Sequence, residues 1–392
     1  MSSLQERVPV KPFSGEASTE VDIITVRSKK EHKQFVNFLY ELYKNNPHWA
    51  PPFRSDELKN MSKEKNPSHA YCDSQWFLAK KNGKIVGRVG AIHHKSANSK
   101  WGKNIVRFTR FDFIDDPDVS AALLKAVEDW GKERGLTDIQ GPMGFSDLDQ
   151  EGMLIDGFEE EGTFVTLYNY PYYVDHLKRH GFTKATDWIE FQITVPPEPN
   201  KKVEKIAKMV SKRFGYRLVE FERRKDVIKL APEIFEVLEE AYKELYGTAP
   251  MTQREINDII SQFFGFINPH FIKVVMDKND KVAGFGITFP SLAKAARKSN
   301  GRLFPFGFLR FVRAINKNDK LALYLVGVRP ELRGQGVNAI MMDAITKTAI
   351  RYGMTIAESN PELEDNDKVQ SQWKFYDTRQ HRRRRCWTKK MS

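Results

Sequence analysis

Residues 321–342 read LALYLVGVRPELRGQGVNAIMM, and they carry the clearest structural pattern in the chain. Their apolar run predicts a strand that ends at Val328, and a helix is predicted to begin near Val337. Between them the two glycines allow a tight turn, in which a ligand can approach the backbone N–H groups. The helix N-terminus adds unpaired N–H donors and the positive end of the helix dipole. With Arg329 and Arg333 beside it, the loop is predicted to cradle a pyrophosphate. It is neither a Walker loop nor a G-x-G-x-x-G dinucleotide loop.

The two halves of the chain share short sequence patterns. Residues 84–87 (KIVG) match residues 281–284 (KVAG), each at the start of the second strand of a predicted hairpin. The apolar helix face at 123–130 before Gly135 matches the face at 341–348 before Gly353, if about 291–318 is an insertion. We interpret the chain as two copies of one α/β unit; the alternative is coincidence between short, common patterns.

Residues 328–336 resemble the acyl-CoA-binding motif Q/R-x-x-G-x-G/A of the GNAT acyltransferase superfamily. Arg333 and Gly336 match, and Asn338 stands where Gly or Ala is usual. The resemblance covers about 216–392 and, weakly, 21–194. It implies an α/β fold with a mixed sheet, built from two tandem GNAT-like units. We therefore expect a mobile tail at 1–20, a degenerate unit at 21–194, a Pro-rich linker at 195–201 and an acyl-CoA-binding unit at 202–392.

The resemblance also implies acetyl-CoA or another acyl-CoA as co-substrate. Its pyrophosphate would be held by residues of the loop, and Val328 would bind the acyl carbonyl or pantetheine through backbone groups. The expected pyrophosphate contacts are Arg329, Arg333, Gly334, Gln335, Gly336, Val337 and Asn338. The equivalent stretch of the first half, 111–120, has no glycine and four aspartates, which suit helix capping and repel phosphate. Only the second half is therefore expected to bind acyl-CoA.

For the chemistry, a GNAT-type reaction implies a base for the attacking amine and an acid for the leaving thiolate. By position, Glu358 at the end of the predicted strand 355–359 is the candidate base. Tyr376, on a helix predicted from Asp365 to about Thr378, is the candidate acid. A structural carboxylate and a packed core tyrosine are the alternatives. The loop 140–151 could also offer Asp147, Asp149 and Glu151 to a cationic amine, or be an ordinary connecting loop.

Composition limits the remaining classes. The 392 residues carry a formal net charge of +12, which favours an anionic partner, and the two cysteines form no C-x-x-C pair. We expect a cytoplasmic protein with a small-molecule or peptide amine as acceptor, no metal and no integral membrane association; its oligomeric state is left open. The alternatives are a catalytically silent acyl-CoA-binding or regulatory protein and, last, a nucleic-acid-binding protein.

Two basic segments stay open. Residues 292–318 carry seven Lys and Arg, no acid and interleaved Phe residues. They could form a lid packed on the other half, or touch a membrane surface, a nucleic acid, a long acyl chain or an acidic substrate. The arginine run 382–385 could be a nucleic-acid tail or a final strand with alternating exposed arginines.

Overall fold

The computed structural model describes residues 20–264 and 267–392, and within these ranges fourteen strands form one mixed sheet. The predicted mobile tail lies, except for its last residue, outside the described residues. The strands are β1 (Asp22–Thr25), β2 (Cys72–Lys81), β3 (Lys84–His94), β4 (Ile105–Phe113), β5 (Asp138–Gly141), β6 (Met153–Asp156), β7 (Thr183–Thr194), β8 (Arg217–Val219), β9 (Ile272–Met276), β10 (Val282–Pro290), β11 (Lys320–Val328), β12 (Ile356–Ser359), β13 (Glu362–Leu363) and β14 (Thr378–Lys390).

Helices cover both faces of the sheet. They are α1 (Lys29–Leu42), α2 (Arg54–Met61), α3 (Lys95–Trp101), α4 (Pro117–Lys132), α5 (Tyr172–Arg179), α6 (Lys201–Phe214), α7 (Arg224–Tyr242), α8 (Gln253–Phe264), α9 (Ala293–Ser299), α10 (Gly307–Asn316), α11 (Val337–Arg351) and α12 (Asp367–Gln370). In the described ranges, no helix is long and apolar enough to cross a bilayer.

The duplication predicted from the sequence is confirmed. Strands β1 to β5 follow one another along one end of the sheet, and β12 to β8 follow one another along the other end. In each half the fourth and fifth strands are parallel, namely β4 with β5 and β11 with β12, and the helix between them is α4 or α11. The segment 291–318 forms α9 and α10 between β10 and β11.

The centre of the sheet joins the halves by an exchange of strands. Strand β14, from the end of the chain, lies between β5 and β7, and β7 lies between β14 and β12. The β7–β14 pair is antiparallel, running from Thr378 opposite Ile193 to Thr388 opposite Thr183. Each half therefore borrows a strand from the other to complete its sheet, although the Pro-rich stretch 195–201 separates them along the chain.

Buried ion pairs explain why β14 sits at this place. On one face the Glu190 carboxylate accepts from Nε of Arg382 at 2.8 Å and from Nε of Arg384, and all three side chains are buried. On the other face buried Asp187 accepts from Arg385 at 2.7 Å and from Arg383 at 2.9 Å. The run 382–385 is thus a strand in which buried Arg382 and Arg384 alternate with partly exposed Arg383 and Arg385, and β7 supplies a buried acid to each face.

Glu190→Gln is expected to destabilise the whole chain by about 3–5 kcal/mol, because two buried guanidinium groups lose their counter-charge. Despite burial, Arg382 and Arg384 hold the pKa of Glu190 below its usual range. Its contribution is therefore complete above the unfolded-state pKa and is lost as the pH falls below it, so the difference between wild type and variant should shrink in acid. Urea unfolding at several pH values measures this.

The matched control is Asp129→Asn, which removes the exposed pair of Asp129 with Lys125 in α4 and should cost less than about 1 kcal/mol. An equal, small effect of both substitutions would contradict a central role for the Glu190 pairs.

Candidate functional site

The loop after β11 has the geometry that its glycines predict. A 3-10 turn at Pro330–Leu332 follows the strand, and Gly334 and Gly336 adopt φ of +80° and +84° before α11 begins at Val337. Side chains rarely adopt these left-handed angles. A Cβ at Gly334 would meet open space, whereas one at Gly336 would lie 2.6 Å from Val210 of α6. Gly336 thus serves close packing against α6 as well as the turn.

The loop presents unpaired N–H donors at the start of α11. In the described part of the chain, no backbone or side-chain acceptor is recorded for the N–H groups of Gly334, Gly336, Val337 and Asn338, and no side chain caps the helix. Asn338 is exposed beside them. Together with the helix dipole, these groups can bind an anion.

The charged and polar side chains of the loop divide between two tasks. Arg329 is held by Glu236 at 3.1 Å, Glu240 at 2.9 Å and the Val282 carbonyl at 2.7 Å, and therefore fixes the loop to α7 and β10. Arg333 is exposed; one guanidinium nitrogen donates to the Ala241 carbonyl at 2.7 Å, and no described carboxylate lies within ion-pair distance. Its charge is thus available to an anion at the loop.

Gln335 also anchors the loop, because its side-chain oxygen accepts from the Tyr216 hydroxyl at 2.7 Å. Val328 is the last residue of β11 and lies opposite Gly284 of β10. The sequence placed both residues in contact with the ligand, and these contacts stay predictions.

The same position in the first half is closed. The Asp116 carboxylate caps α4 by accepting from the N–H groups of Asp118 at 2.9 Å and Val119 at 3.4 Å. Lys81 lies 2.7 Å from the other carboxylate oxygen of Asp116. The donors that α11 leaves open are thus occupied in α4 by the chain's own carboxylate.

Strand β11 leads from the loop to a break in the sheet. Its pairing with β12 ends where Leu323 faces Ser359. At Tyr324, between Leu323 and Leu325, the register of β11 against β10 shifts by one residue and forms a bulge. Beyond this point β11 and β12 are no longer paired. The Tyr242 hydroxyl donates to the carbonyl of Val326 at 3.2 Å, so the end of α7 covers the start of the gap.

A cavity of about 190 Å³ lies at this break, between the two halves. Tyr324 lines it from the second half, and Phe53 and Phe164 line it from the first. Its acidic lining residues are Asp56, Glu57, Asp149, Glu255 and Asp258. Arg110 neutralises Glu57 at 3.1 Å, and Glu255 accepts from Ser68 at 2.6 Å and from Tyr71.

The loop 140–151 contributes further carboxyl groups on this side. Burial raises the pKa of Asp147, Asp149 and Glu151, because charged forms lose hydration there. The pKa of Tyr324 is raised by burial first, and then by its neighbours Tyr242, Asp149 and Asp147. The two acids thus lie near the bulge. In the wall of the cavity itself, five carboxyl groups face two cationic side chains, Lys59 and Arg110, so acidic groups outnumber basic ones there.

The two predicted catalytic residues lie apart. Glu358 is buried on β12, with Arg382 Nη2 at 3.9 Å and Lys320 Nζ at 4.0 Å, and no hydrogen bond from a described residue reaches its carboxylate. Burial raises its pKa. Its neighbour Ala357 packs under α11, so Glu358 projects from the opposite face of the strand, toward the side of α7.

Tyr376 lies on the α11 face, packed in the same apolar cluster as Ala357, and its hydroxyl is 3.2 Å from that of Thr346. The helix predicted from Asp365 to Thr378 is wrong: α12 is followed by a 3-10 turn at Ser371–Phe375, and Tyr376 itself is extended. The structure does not bring Tyr376 and Glu358 together, and their catalytic roles stay predictions.

One residue that sequence reasoning missed is Glu362 on β13, just beyond the end of β12. Burial raises its pKa to about 7, although the Trp373 indole N–H donates to it at 3.1 Å. The pKa of Tyr242 is raised by burial, then by Asp147 and lastly by Glu362, so Glu362 lies near the end of α7. Glu362 is thus a titratable group beside the gap, and no motif in the sequence marks it.

The comparisons with known proteins agree with this geometry. Residues 231–376 match the sequence model of the acetyltransferase (GNAT) family. Protein YghO of Escherichia coli is 26% identical over 94% of this chain and 95% of its own length. A protein of Caulobacter vibrioides named bacterial ceramide synthase is 25% identical over 91% of this chain and 93% of its own length.

Two solved structures show the same fold. A tandem GNAT protein from the clavulanic acid biosynthesis pathway superposes with a TM-score of 0.55 at 12% identity, covering 95% of this chain and 99% of that one. A GCN5-related N-acetyltransferase from Sphaerobacter thermophilus superposes with a TM-score of 0.50 at 11% identity, covering 95% of this chain and 96% of that one. The family match thus lies within the second half of the chain, and the whole chain shares the fold of a tandem GNAT protein.

Proposed function

We propose that the protein is an acyl-CoA-dependent N-acyltransferase, whose second half binds the donor and whose interdomain cavity binds an amine. One observation carries this proposal. A single strand, β11, connects the anion-binding start of α11 with the bulge at Tyr324, where pairing with β12 stops over the acid-lined cavity. An acyl donor held by its phosphates at the loop can thus extend along β11 to an amine in the cavity.

The residues at the loop fit a pyrophosphate. The free N–H groups of Gly334, Gly336, Val337 and Asn338 supply donors, and Arg333 supplies a full charge. Arg329 and Gln335 hold the loop in shape through α7 and Tyr216. Val328 ends β11 between Tyr324 and the loop, and the pantetheine would pass its backbone groups.

The chemistry needs a neutral amine and a route for one proton. The amine nitrogen attacks the thioester carbonyl carbon, a C–N bond forms, and the C–S bond breaks. The proton of the amine passes to a carboxylate, and the leaving thiolate takes up a proton. Glu358 suits the first task, since it faces the side of α7, is held by no hydrogen bond from a described residue and has a raised pKa. For the second task the sequence predicts Tyr376, although the structure places it on the α11 face, away from Glu358.

The acidic lining supports an amine as acceptor. Asp149 and Glu255 lie in the cavity wall, and Asp147 lies near Tyr324. The relative named bacterial ceramide synthase supports an amphiphilic acceptor, because a ceramide is the amide of a long-chain amino alcohol. The sequence predicts an acetyl donor, and this relative supports longer acyl groups, so the donor panel must include both.

The direct test incubates the protein with acetyl-CoA and longer acyl-CoAs, each with short polyamines, peptides and long-chain amino alcohols. Amide products are detected by mass spectrometry, and CoA release is followed with a thiol reagent. Amide formation with release of one CoA per product supports the proposal. Tight CoA binding without turnover on any amine contradicts it and favours the silent acyl-CoA-binding alternative.

Asn338→Asp tests the phosphate site. A carboxylate in the first turn of α11 interacts favourably with the helix dipole and stabilises the helix by about 0.3–1 kcal/mol. The free energy of unfolding should therefore be unchanged or higher. The same charge repels the pyrophosphate, and the Kd for CoA measured by calorimetry should rise by about tenfold or more. Asn338→Ala is the control and should bind CoA nearly as wild type does. An unchanged Kd for Asn338→Asp would contradict the proposal that this loop binds the pyrophosphate.

Glu358→Gln tests the base. Loss of a positioned base should lower kcat by about 10²–10⁴-fold, while CoA binding is retained, because Glu358 is remote from the loop. Glu362→Gln is the matched comparison on the neighbouring strand. If Glu362→Gln loses kcat and Glu358→Gln keeps it, the base is Glu362.

A further inference from the structure

The segment between β10 and β11 has two unlike faces. Gly307, Phe311 and Ile315, four residues apart on α10, are buried, and Phe311 contacts the first half of the chain. The Phe311 ring lies 4.9 Å from that of Phe53, and it packs beside Phe164 as well. The lid packing predicted for the Phe residues of this segment thus holds for Phe311, whereas Phe304, Phe306 and Phe308 are exposed.

The outer face is apolar and exposed. Of the large apolar side chains exposed in the described part of the chain, all except Met209 fall within residues 304–312. They are Phe304 (78% exposed), Phe306 (71%), Leu309 (55%), Val312 (51%) and Phe308 (43%). Such a concentration marks an interaction surface, because scattered exposed apolar residues are ordinary and a contiguous group is not.

Cations surround this apolar patch without acids to balance them. Residues 292–318 contain seven Lys and Arg and no Asp or Glu. Of these, Lys294 pairs with Asp319 and Arg297 with Glu161. The other five lie within ion-pair distance of no described carboxylate: Lys298, Arg302, Arg310, Arg313 and Lys317. The fold therefore presents a strong, uncompensated positive charge around the exposed phenylalanines.

We infer that residues 302–317, hereafter the docking segment, bind the surface of a bilayer that contains anionic lipids. Phenylalanine and aliphatic side chains insert at the boundary of headgroups and acyl chains, and the arginines and lysines contact lipid phosphates. Leu309 and Val312 fit hydrocarbon, whereas single-stranded nucleic acid is bound by aromatic stacking. At ten residues, α10 lies along the surface and does not cross it.

The position of the docking segment connects this surface to the cavity. Phe53 and Phe164, which pack against Phe311, also line the cavity, so one layer of side chains separates it from α10. An amphiphilic amine taken from the bilayer would have a short path to the acid-lined site. This connection rests on the proposed function; the docking itself does not.

Vesicle flotation tests the docking on the full chain, without acyl-CoA or amine. Wild type is expected to float with vesicles of phosphatidylcholine containing one third phosphatidylglycerol, at least about tenfold more strongly than with phosphatidylcholine alone, and to be released by high salt. Phe304→Ser with Phe306→Ser, and separately Arg302→Gln with Arg313→Gln, should each lower the partition coefficient by about tenfold. All four side chains are exposed, so the melting temperature should stay that of wild type.

Met209→Ser with Lys212→Gln, which removes an exposed apolar and a basic side chain on α6, is the control and should float as wild type does. The inference is overturned if wild type does not float at low salt, or if both docking-segment variants float like wild type. It is also overturned if those variants lose binding to a single-stranded RNA while vesicles are not bound. A failed acyl-transfer assay leaves this result unaffected, because flotation uses no substrate.

Discussion

The buried carboxylate of Glu190, held between the guanidinium groups of Arg382 and Arg384, is the interaction on which the rest of the structure depends. It lies where β7 and β14 cross from one half to the other, and these two strands make the two sheets continuous. The cavity at Tyr324 is lined by both halves and exists only when they are joined. A buried ionic cluster in the centre of the sheet thus positions the two walls of the cavity.

The two copies of the unit then diverge at one physical point, the start of the helix after the fourth strand. In α4 the carboxylate of Asp116 occupies the N–H groups, and in α11 two left-handed glycines leave the corresponding groups open beside Arg333. The N–H groups at the start of α4 therefore bind a carboxylate of the chain itself, whereas those at the start of α11 can bind an external anion. This asymmetry supports the proposal that one half shapes the cavity while the other binds the donor.

Local patterns made part of this arrangement predictable from the sequence. The strand to Val328, the glycine turn and the helix from Val337 are encoded by neighbouring residues, and the repeat follows from two matching segments. Contacts between residues far apart in the chain were not predictable. Examples are the burial of Arg382 by Glu190, the capture of Arg329 by Glu236 and Glu240, and the raised pKa of Glu362. The helix predicted around Tyr376 failed because a 3-10 turn that buries Trp373 takes its place.

We propose that the start of α11 receives the phosphates of the donor. Amide hydrogen exchange followed by mass spectrometry, with and without CoA, tests this proposal. CoA is expected to protect peptides covering 333–338 and to leave those covering 114–120 unchanged, since Asp116 already occupies the donors there. Equal protection of both segments, or none at 333–338, would contradict it.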